Sequence, residues 1–247
     1  MHKQRIKLEF LVHDLKVPLA VIEAGISSLI QKRDKYGSLS DKQLQVLERA
    51  LRNTIITQRL VNDVLELGRS SEGVINRCRF LVSSFVEQAL IEIFDLTDHE
   101  TTDRIRECKN LASLQKTIAP KGVYLDISEI LWAKEVYLDE SKSRQILRNL
   151  LSNALKYRKD RVDLRFYEEE RFLCISVKDD GEGIPSSYHE KIFQCYFQMD
   201  ARTNQCVRGH GLGLAGVMVL LEDMGGSLAL ASDAGKGATF LVRMPFS

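Results

Sequence analysis

Two apolar stripes with helical spacing occupy the start of the chain and limit what it can fold into. Leu11, Leu15, Leu19, Ile22, Ile26 and Leu29 recur at steps of three or four residues, and Leu44, Leu47, Leu51, Ile55, Val61 and Leu65 follow the same period. Tyr36-Gly37-Ser38 interrupts the pattern, with Gly37 suited to the position just past a helix end, and Ser40 or Asp41 can cap the next helix. The spacing predicts one helix from residue 1 to about 36 and a second fading at Gly68-Arg69-Ser70-Ser71, joined by a short turn into an antiparallel hairpin. A single hairpin has no third layer to cover its stripes. Closing a four-helix bundle as a homodimer is the simplest way to bury them.

The helical period stops at Ser70-Ser71-Glu72-Gly73, a polar, glycine-containing stretch that marks a boundary between a domain of residues 1–72 and one of residues 73–247. Beyond it helical and alternating segments mix. Helices are expected over Phe85–Phe94, Ser141–Tyr157 and Leu212–Met224, the last ending at Gly225-Gly226. Strands are expected at Val123–Ile127, in a hairpin of Val162–Phe166 and Phe172–Val177 about the acidic turn Glu168–Glu170, and in a closing pair, Ser227–Ala231 and Ala238–Met244. The charged stretch Asp95–Asn110 reads equally as a solvated helix extension or a surface insert. The fold class is therefore α+β: a helical hairpin followed by an α/β sandwich with helices on one face of an antiparallel or mixed sheet.

Composition narrows the partners. A net charge of +1 gives no general attraction to nucleic acid or to an anionic membrane surface. No apolar run approaches the roughly 18 residues a membrane helix needs, and no signal-peptide pattern opens the chain. The five cysteines are scattered, without paired or metal-site spacing, so they read as reduced thiols of a cytoplasmic protein, or of the cytoplasmic portion of a longer or membrane-associated one.

Four clusters carry chemistry. Asn149 and Asn153 stand four apart on one helix, with Lys156 and Tyr157 a turn further; two carboxamides and an ammonium beside a solid Leu face can offer oxygen to a hard cation and positive charge to phosphate. Asp179-Asp180-Gly181-Glu182-Gly183-Ile184 follows a strand, where a carboxylate can accept from an exocyclic amine and closely spaced glycines let backbone approach a flat ligand. Gly209-His210-Gly211-Leu212-Gly213-Leu214 opens a helix whose free N–H groups suit phosphate oxygens, although neither a Walker loop nor a dinucleotide fingerprint fits it. Finally, His13 lies two residues from both Leu11 and Leu15, about 200° around the helix at ~100° per residue, and is followed directly by Asp14. Alone, it reads as a surface histidine.

In order and spacing these clusters resemble the boxes of the sensor histidine kinases. His13–Leu19 resembles the H box, Arg144–Tyr157 the N box, Asp179–Pro185 the G1 box, Ile192–Phe197 the F box and Gly209–Leu214 the G2 box, with Gly225–Ser227 and Gly235–Phe240 as the closing segment. The resemblance implies a dimeric phosphoacceptor hairpin followed by an ATP-binding domain of the type shared with gyrases. It implies that Asp179 binds the adenine amino group with Thr239 supporting through water, and that Gly181, Gly183 and Ile184 line the same G1 box. Asn153 would be the Mg²⁺ ligand, Asn149, Lys156 and Tyr157 would help hold the nucleotide, and the Gly209–Leu214 backbone would face the phosphates. His210 fills a variable position there. His13 would accept the phosphoryl group, with Asp14 orienting its ring, and pass it to an aspartate on the receiver domain of a response regulator.

Departures from the family pattern bear on the rival activities. Four residues after the histidine, where many relatives place Thr or Asn to position water, stands Val17, which neither donates nor accepts a hydrogen bond. After the F box, where many relatives carry arginine, stands Gln198. Gyrase-like hydrolases place a catalytic glutamate four residues before the magnesium-binding asparagine; here that position is Asn149, which cannot act as a general base. A receiver-binding scaffold without turnover is the remaining alternative, opposed by the intact Asn153, Asp179 and G2 glycines.

Overall fold

The structure, a computed structural model, describes residues 8–70, 75–95, 98–194 and 213–246. Internal contacts divide the chain into two compact units, Met1–Glu72 and Gly73–Ser247.

In the first unit, α1 (Leu8–Gln31) is followed by a one-turn helix, α2 (Arg33–Tyr36), and by α3 (Asp41–Ser70). The single first helix expected from the periodicity is thus broken at Lys32, one turn before Gly37, which takes the left-handed φ of 88° that glycine tolerates best. Ser40 caps α3 through a reciprocal pair: Gln43 N–H donates to Ser40 Oγ, and Ser40 N–H donates to Gln43 Oε1. Leu19 of α1 packs on Val61 of α3, while Glu23, four residues further along α1, accepts from Gln58, three residues back along α3. That opposite progression is the antiparallel hairpin. Apolar side chains remain uncovered in it: Leu15 and Ile22 of the α1 stripe, and Val17, Val21 and Val46 beside the stripes, are 43–67% exposed.

The second unit is an α/β sandwich. A five-stranded sheet of β2 (Val123–Asp126), β4 (Val162–Glu169), β5 (Phe172–Asp179), β6 (Ser227–Ser232) and β7 (Ala238–Pro245) runs in the order β2-β4-β5-β7-β6, with β2 parallel to β4 and the rest antiparallel. Its inner face (Leu164, Phe166, Leu173, Ile175, Val177, Phe240, Val242) packs against buried residues of α4 (Val82–Phe94), α8 (Glu140–Tyr157) and α9 (Gly213–Met224). The other face carries side chains such as Arg165, Lys178 and Arg243, with Arg243 stacked 4.7 Å over the Phe172 ring.

The structure adds elements that the periodicity does not reveal. The strands β1 (Cys78–Leu81) and β3 (Glu135–Leu138) pair antiparallel in a separate ladder, and a one-turn helix, α7 (Glu129–Trp132), precedes β3. The charged stretch resolves into a capped insert, α5 (His99–Arg106), followed by α6 (Leu111–Ile118). Asp98 caps α5 by accepting from Thr101 N–H at 3.0 Å and pairs with Lys121 at 2.6 Å, which together hold its carboxyl down at about 2. Ile105, Leu111, Leu114 and Ile118 turn inward, so the insert is part of the core despite its charge.

Candidate functional site

Three segments of the second unit converge. α8 starts at Asp139, a buried carboxylate that accepts from Lys142 N–H (3.0 Å) and also from Asn76 N–H (2.9 Å), at the entry of the unit's chain. Ile146, Leu147, Leu150, Leu151 and Ala154 bury one side of α8 and leave Asn149, Asn153 and Lys156 half-buried. Asn149 Nδ2 donates to Gly213 O at 3.4 Å, which ties α8 to the first residue of α9. The Asn153 carboxamide makes no hydrogen bond among the described residues. Lys156 lies 4.6 Å over the Tyr157 ring and donates to its hydroxyl at 2.9 Å.

Asp179 ends β5 and is only 5% exposed. Its Oδ1 accepts from Gly181 N–H at 2.9 Å and from Ala238 N–H at 3.3 Å, while Oδ2 has no partner among the described residues. Burial raises its pKa, against the pull of those two N–H groups. A buried carboxylate with one oxygen fixed and the other open is a strong acceptor awaiting a donor. Its neighbour Asp180 does structural work: Oδ1 accepts from the backbone of Lys159 (2.9 Å), Asp160 (3.1 Å) and Arg161 (3.0 Å), and these bonds, Arg161's first, lower its pKa.

The glycines of this loop also meet the protein's own backbone. A Cβ on Gly181 would strike the Tyr157 carbonyl, and one on Gly183 (φ 71°) would strike the carbonyls of Asp233 and Gly237. Both therefore admit the protein's own backbone, joining the loop to the end of α8 and to the β6–β7 turn. Ile184 packs against the core and donates its N–H to Ser232 Oγ at 2.8 Å.

The structure also moves one expected residue. Thr239 sits opposite Lys178 of β5 and Ala231 of β6, and directly opposed residues share a face. Lys178 is exposed while Val177 and Asp179 on either side are buried, so Thr239 lies on the face opposite Asp179. Ala238 meets the carboxylate instead, through its backbone. Of the remaining candidates, Gly209, His210, Gly211 and Leu212 lie outside the described residues, and Gly213 and Leu214 open α9. His13 and Asp14 fall on α1, but the placement of their side chains lies outside what is described. Ser232 and Asp180 were not singled out by sequence, because a strand-end serine and an aspartate beside a glycine turn are common turn chemistry.

Comparison with known proteins agrees with the fold. Residues 138–247 match the family model "Histidine kinase-, DNA gyrase B-, and HSP90-like ATPase", the class that the sandwich defines. Residues 8–73 match "His Kinase A (phospho-acceptor) domain". With these two parts in this order, the chain belongs to the sensor histidine kinases and comprises their catalytic core. It is 29% identical over 240 residues to sensor histidine kinase WalK of Bacillus subtilis, covering 95% of this chain and 35% of that protein. It is 30% identical over 244 residues to the circadian input-output histidine kinase CikA of Synechococcus elongatus, covering 97% of this chain and 30% of that one. The chain thus spans about a third of these relatives' length. Among solved structures, its fold is similar to that of full-length ShkA in complex with AMPPNP (TM-score 0.67, 24% identity, 97% of this chain and 45% of that chain). It is also similar to the Acinetobacter baumannii histidine kinase AdeS (TM-score 0.58, 19% identity, 95% of this chain and 98% of that chain).

Proposed function

We propose that the chain is an ATP-dependent protein-histidine kinase that phosphorylates its own His13 and passes the phosphoryl group to an aspartate on the receiver domain of a response regulator. The observation that carries the nucleotide part is Asp179: a buried carboxylate with its Oδ1 held by two backbone N–H groups and its Oδ2 open, suited to the exocyclic amine of adenine. The relatives' names and the phospho-acceptor match support the histidine as destination.

The residues present fit ATP with Mg²⁺. Mg²⁺ takes hard oxygen ligands, few of them from protein, and completes its shell with water and phosphate. The half-buried Asn153 carboxamide, lacking a described partner, offers one such oxygen; no group of three or more His, Cys, Asp or Glu side chains among the described residues competes as a cation site. Bound there, Mg²⁺ would neutralise phosphate charge, the main electrostatic requirement of phosphoryl transfer. Lys156 would add positive charge, and the opening of α9 at Gly213, tethered to Asn149, would bring helix N–H groups toward the phosphates. Asn149 has no basic group, which disfavours hydrolysis.

At the acceptor, a neutral imidazole of ordinary pKa near 6.5 keeps a nitrogen lone pair at neutral pH, and Asp14 beside it would hold the ring's other N–H and support the charge that develops. Residues 1–72 would serve as the dimerisation and phosphoacceptor domain and residues 73–247 as the ATP-binding domain. The exposed apolar side chains of α1 and α3 favour a homodimer closing a four-helix bundle. Among the described residues no helix is long and apolar enough to cross a membrane.

Asn153 gives the test. With labelled ATP and Mg²⁺, Asn153→Ala is expected to take up phosphate at least about tenfold more slowly than the parent, the usual scale for a lost metal-binding contact. Nucleotide binding measured without metal should change little. Equal loss of metal-free binding would show that Asn153 acts on the nucleotide itself.

A further inference from the structure

Ser232, at the end of β6, is half-buried and bridges two loops with one hydroxyl. Its Oγ accepts from Ile184 N–H at 2.8 Å and donates to Gly237 O at 2.7 Å. Gly235 N–H donates to Glu182 O at 2.5 Å across the same seam, and His189 Nε2 lies 2.9 Å from Ile184 O.

The bond to Gly237 O is the telling one. The Gly237 carbonyl and the Ala238 N–H belong to one planar peptide unit, in which C=O and N–H point in opposite directions. Fixing the carbonyl therefore aims the N–H, and that N–H is one of the two donors that orient Asp179 Oδ1. The other donor, Gly181 N–H, heads the loop whose Ile184 the same hydroxyl holds. Gly237 sits at φ 76°, so without Ser232 this peptide has a glycine beside it about which to rotate.

Resting on the reading of Asp179 as the acceptor for the base, we propose that Ser232 is a positioning residue for base selection: its hydroxyl sets the Gly237–Ala238 peptide and the 182–184 loop so that Asp179 presents Oδ2 to an adenine amino group. Removing the hydroxyl leaves Asp179 in place but loosens its aim. A misaimed carboxylate discriminates poorly between a purine that offers an amine at its six position and one that offers a carbonyl there.

The test measures dissociation constants of the full chain for ADP and for GDP with Mg²⁺, at a temperature well below every variant's melting point. The parent should bind ADP in preference to GDP. In Ser232→Ala, ADP affinity should fall about tenfold, the scale of one well-placed hydrogen bond, while GDP affinity stays within about twofold, so the selectivity ratio contracts. Ser232→Thr, which keeps the hydroxyl, should restore the ratio; Ser232→Val, its near-isostere without one, should not. If Ser232→Ala does not fold, the Thr and Val variants carry the same comparison. Equal losses for both nucleotides, or an ADP constant unchanged in both Ala and Val, would overturn the proposal while leaving Asp179 as acceptor. A parent that does not prefer ADP would remove the reading of Asp179 itself, and this inference with it.

Discussion

Asp179→Asn is expected to weaken ATP binding about a hundredfold while making the nucleotide-free protein more resistant to heat at neutral pH. The carboxamide oxygen can still accept from Gly181 and Ala238 N–H, so the loop keeps its shape. The amide nitrogen then occupies the place of Oδ2 and meets the adenine amine donor to donor. Losing a charge-assisted hydrogen bond and leaving two donors opposed costs about 3 kcal/mol, or about a hundredfold in affinity. The stability change has the opposite sign. Burial raises the pKa of Asp179 in the folded protein. Such a group stabilises the fold relative to its ionised state only where it is protonated: the contribution is complete below the unfolded value near 3.9 and is lost as pH rises through the folded value. At neutral pH the parent therefore carries an unfavourable buried charge that Asn lacks. The melting-temperature advantage of Asp179→Asn should be largest near pH 7 and shrink as the pH approaches about 4. A variant that binds ATP like the parent would remove Asp179 from the nucleotide site.

His13→Gln should reduce phosphate uptake from ATP to background. Glutamine offers a carboxamide of comparable reach but no basic nitrogen lone pair to attack phosphorus. His13 lies on α1, in the other compact unit from Asp179 and Asn153, so ATP affinity should stay within about twofold of the parent. The pair of measurements separates donor from acceptor: Asp179→Asn loses binding and labelling together, whereas His13→Gln loses labelling alone.

Much of this fold is legible in sequence because its strong signals are periodic. The stripes of α1 and α3, the leucine face of α8, the β4–β5 hairpin and the closing strands β6 and β7 all show the periods of 3.6 or 2 that burial on one face imposes. What escapes has a physical reason in each case. Strands β1 and β3 have four residues each and pair with each other across more than fifty residues of sequence, a partnership that local sequence does not show. Helix α5 is hidden by charge: two acids and two arginines mask Thr101, Thr102 and Ile105, which face the core. The left-handed Gly37 ends the helical run after Tyr36, where the sequence places the turn, whereas the interruption at Lys32 falls beyond the last apolar residue of the stripe, Leu29, where no periodic signal marks it.

The site was legible in residue types more than in directions. Asp179 is identifiable as a strand-end carboxylate, but only the sheet register shows that Thr239 turns away from it and that Ala238 supplies the contact through its backbone. Gly181 and Gly183 are recognisable as obligatory glycines, yet what crowds them is backbone distant in sequence, the carbonyls of Tyr157, Asp233 and Gly237. Long-range backbone proximity leaves no mark on local sequence. The same holds for Ser232, whose partners Ile184 and Gly237 meet only once β5, β6 and β7 are aligned.

The most direct test of the account is the chemistry of the phosphate that the protein acquires. Purified protein incubated with γ-labelled ATP and Mg²⁺ should carry label that acid removes and alkali leaves in place, the behaviour of a phosphorus–nitrogen bond, and the labelled peptide should be the one containing His13. Release of free phosphate with no label on the protein, or an acid-stable label elsewhere in the chain, would contradict it.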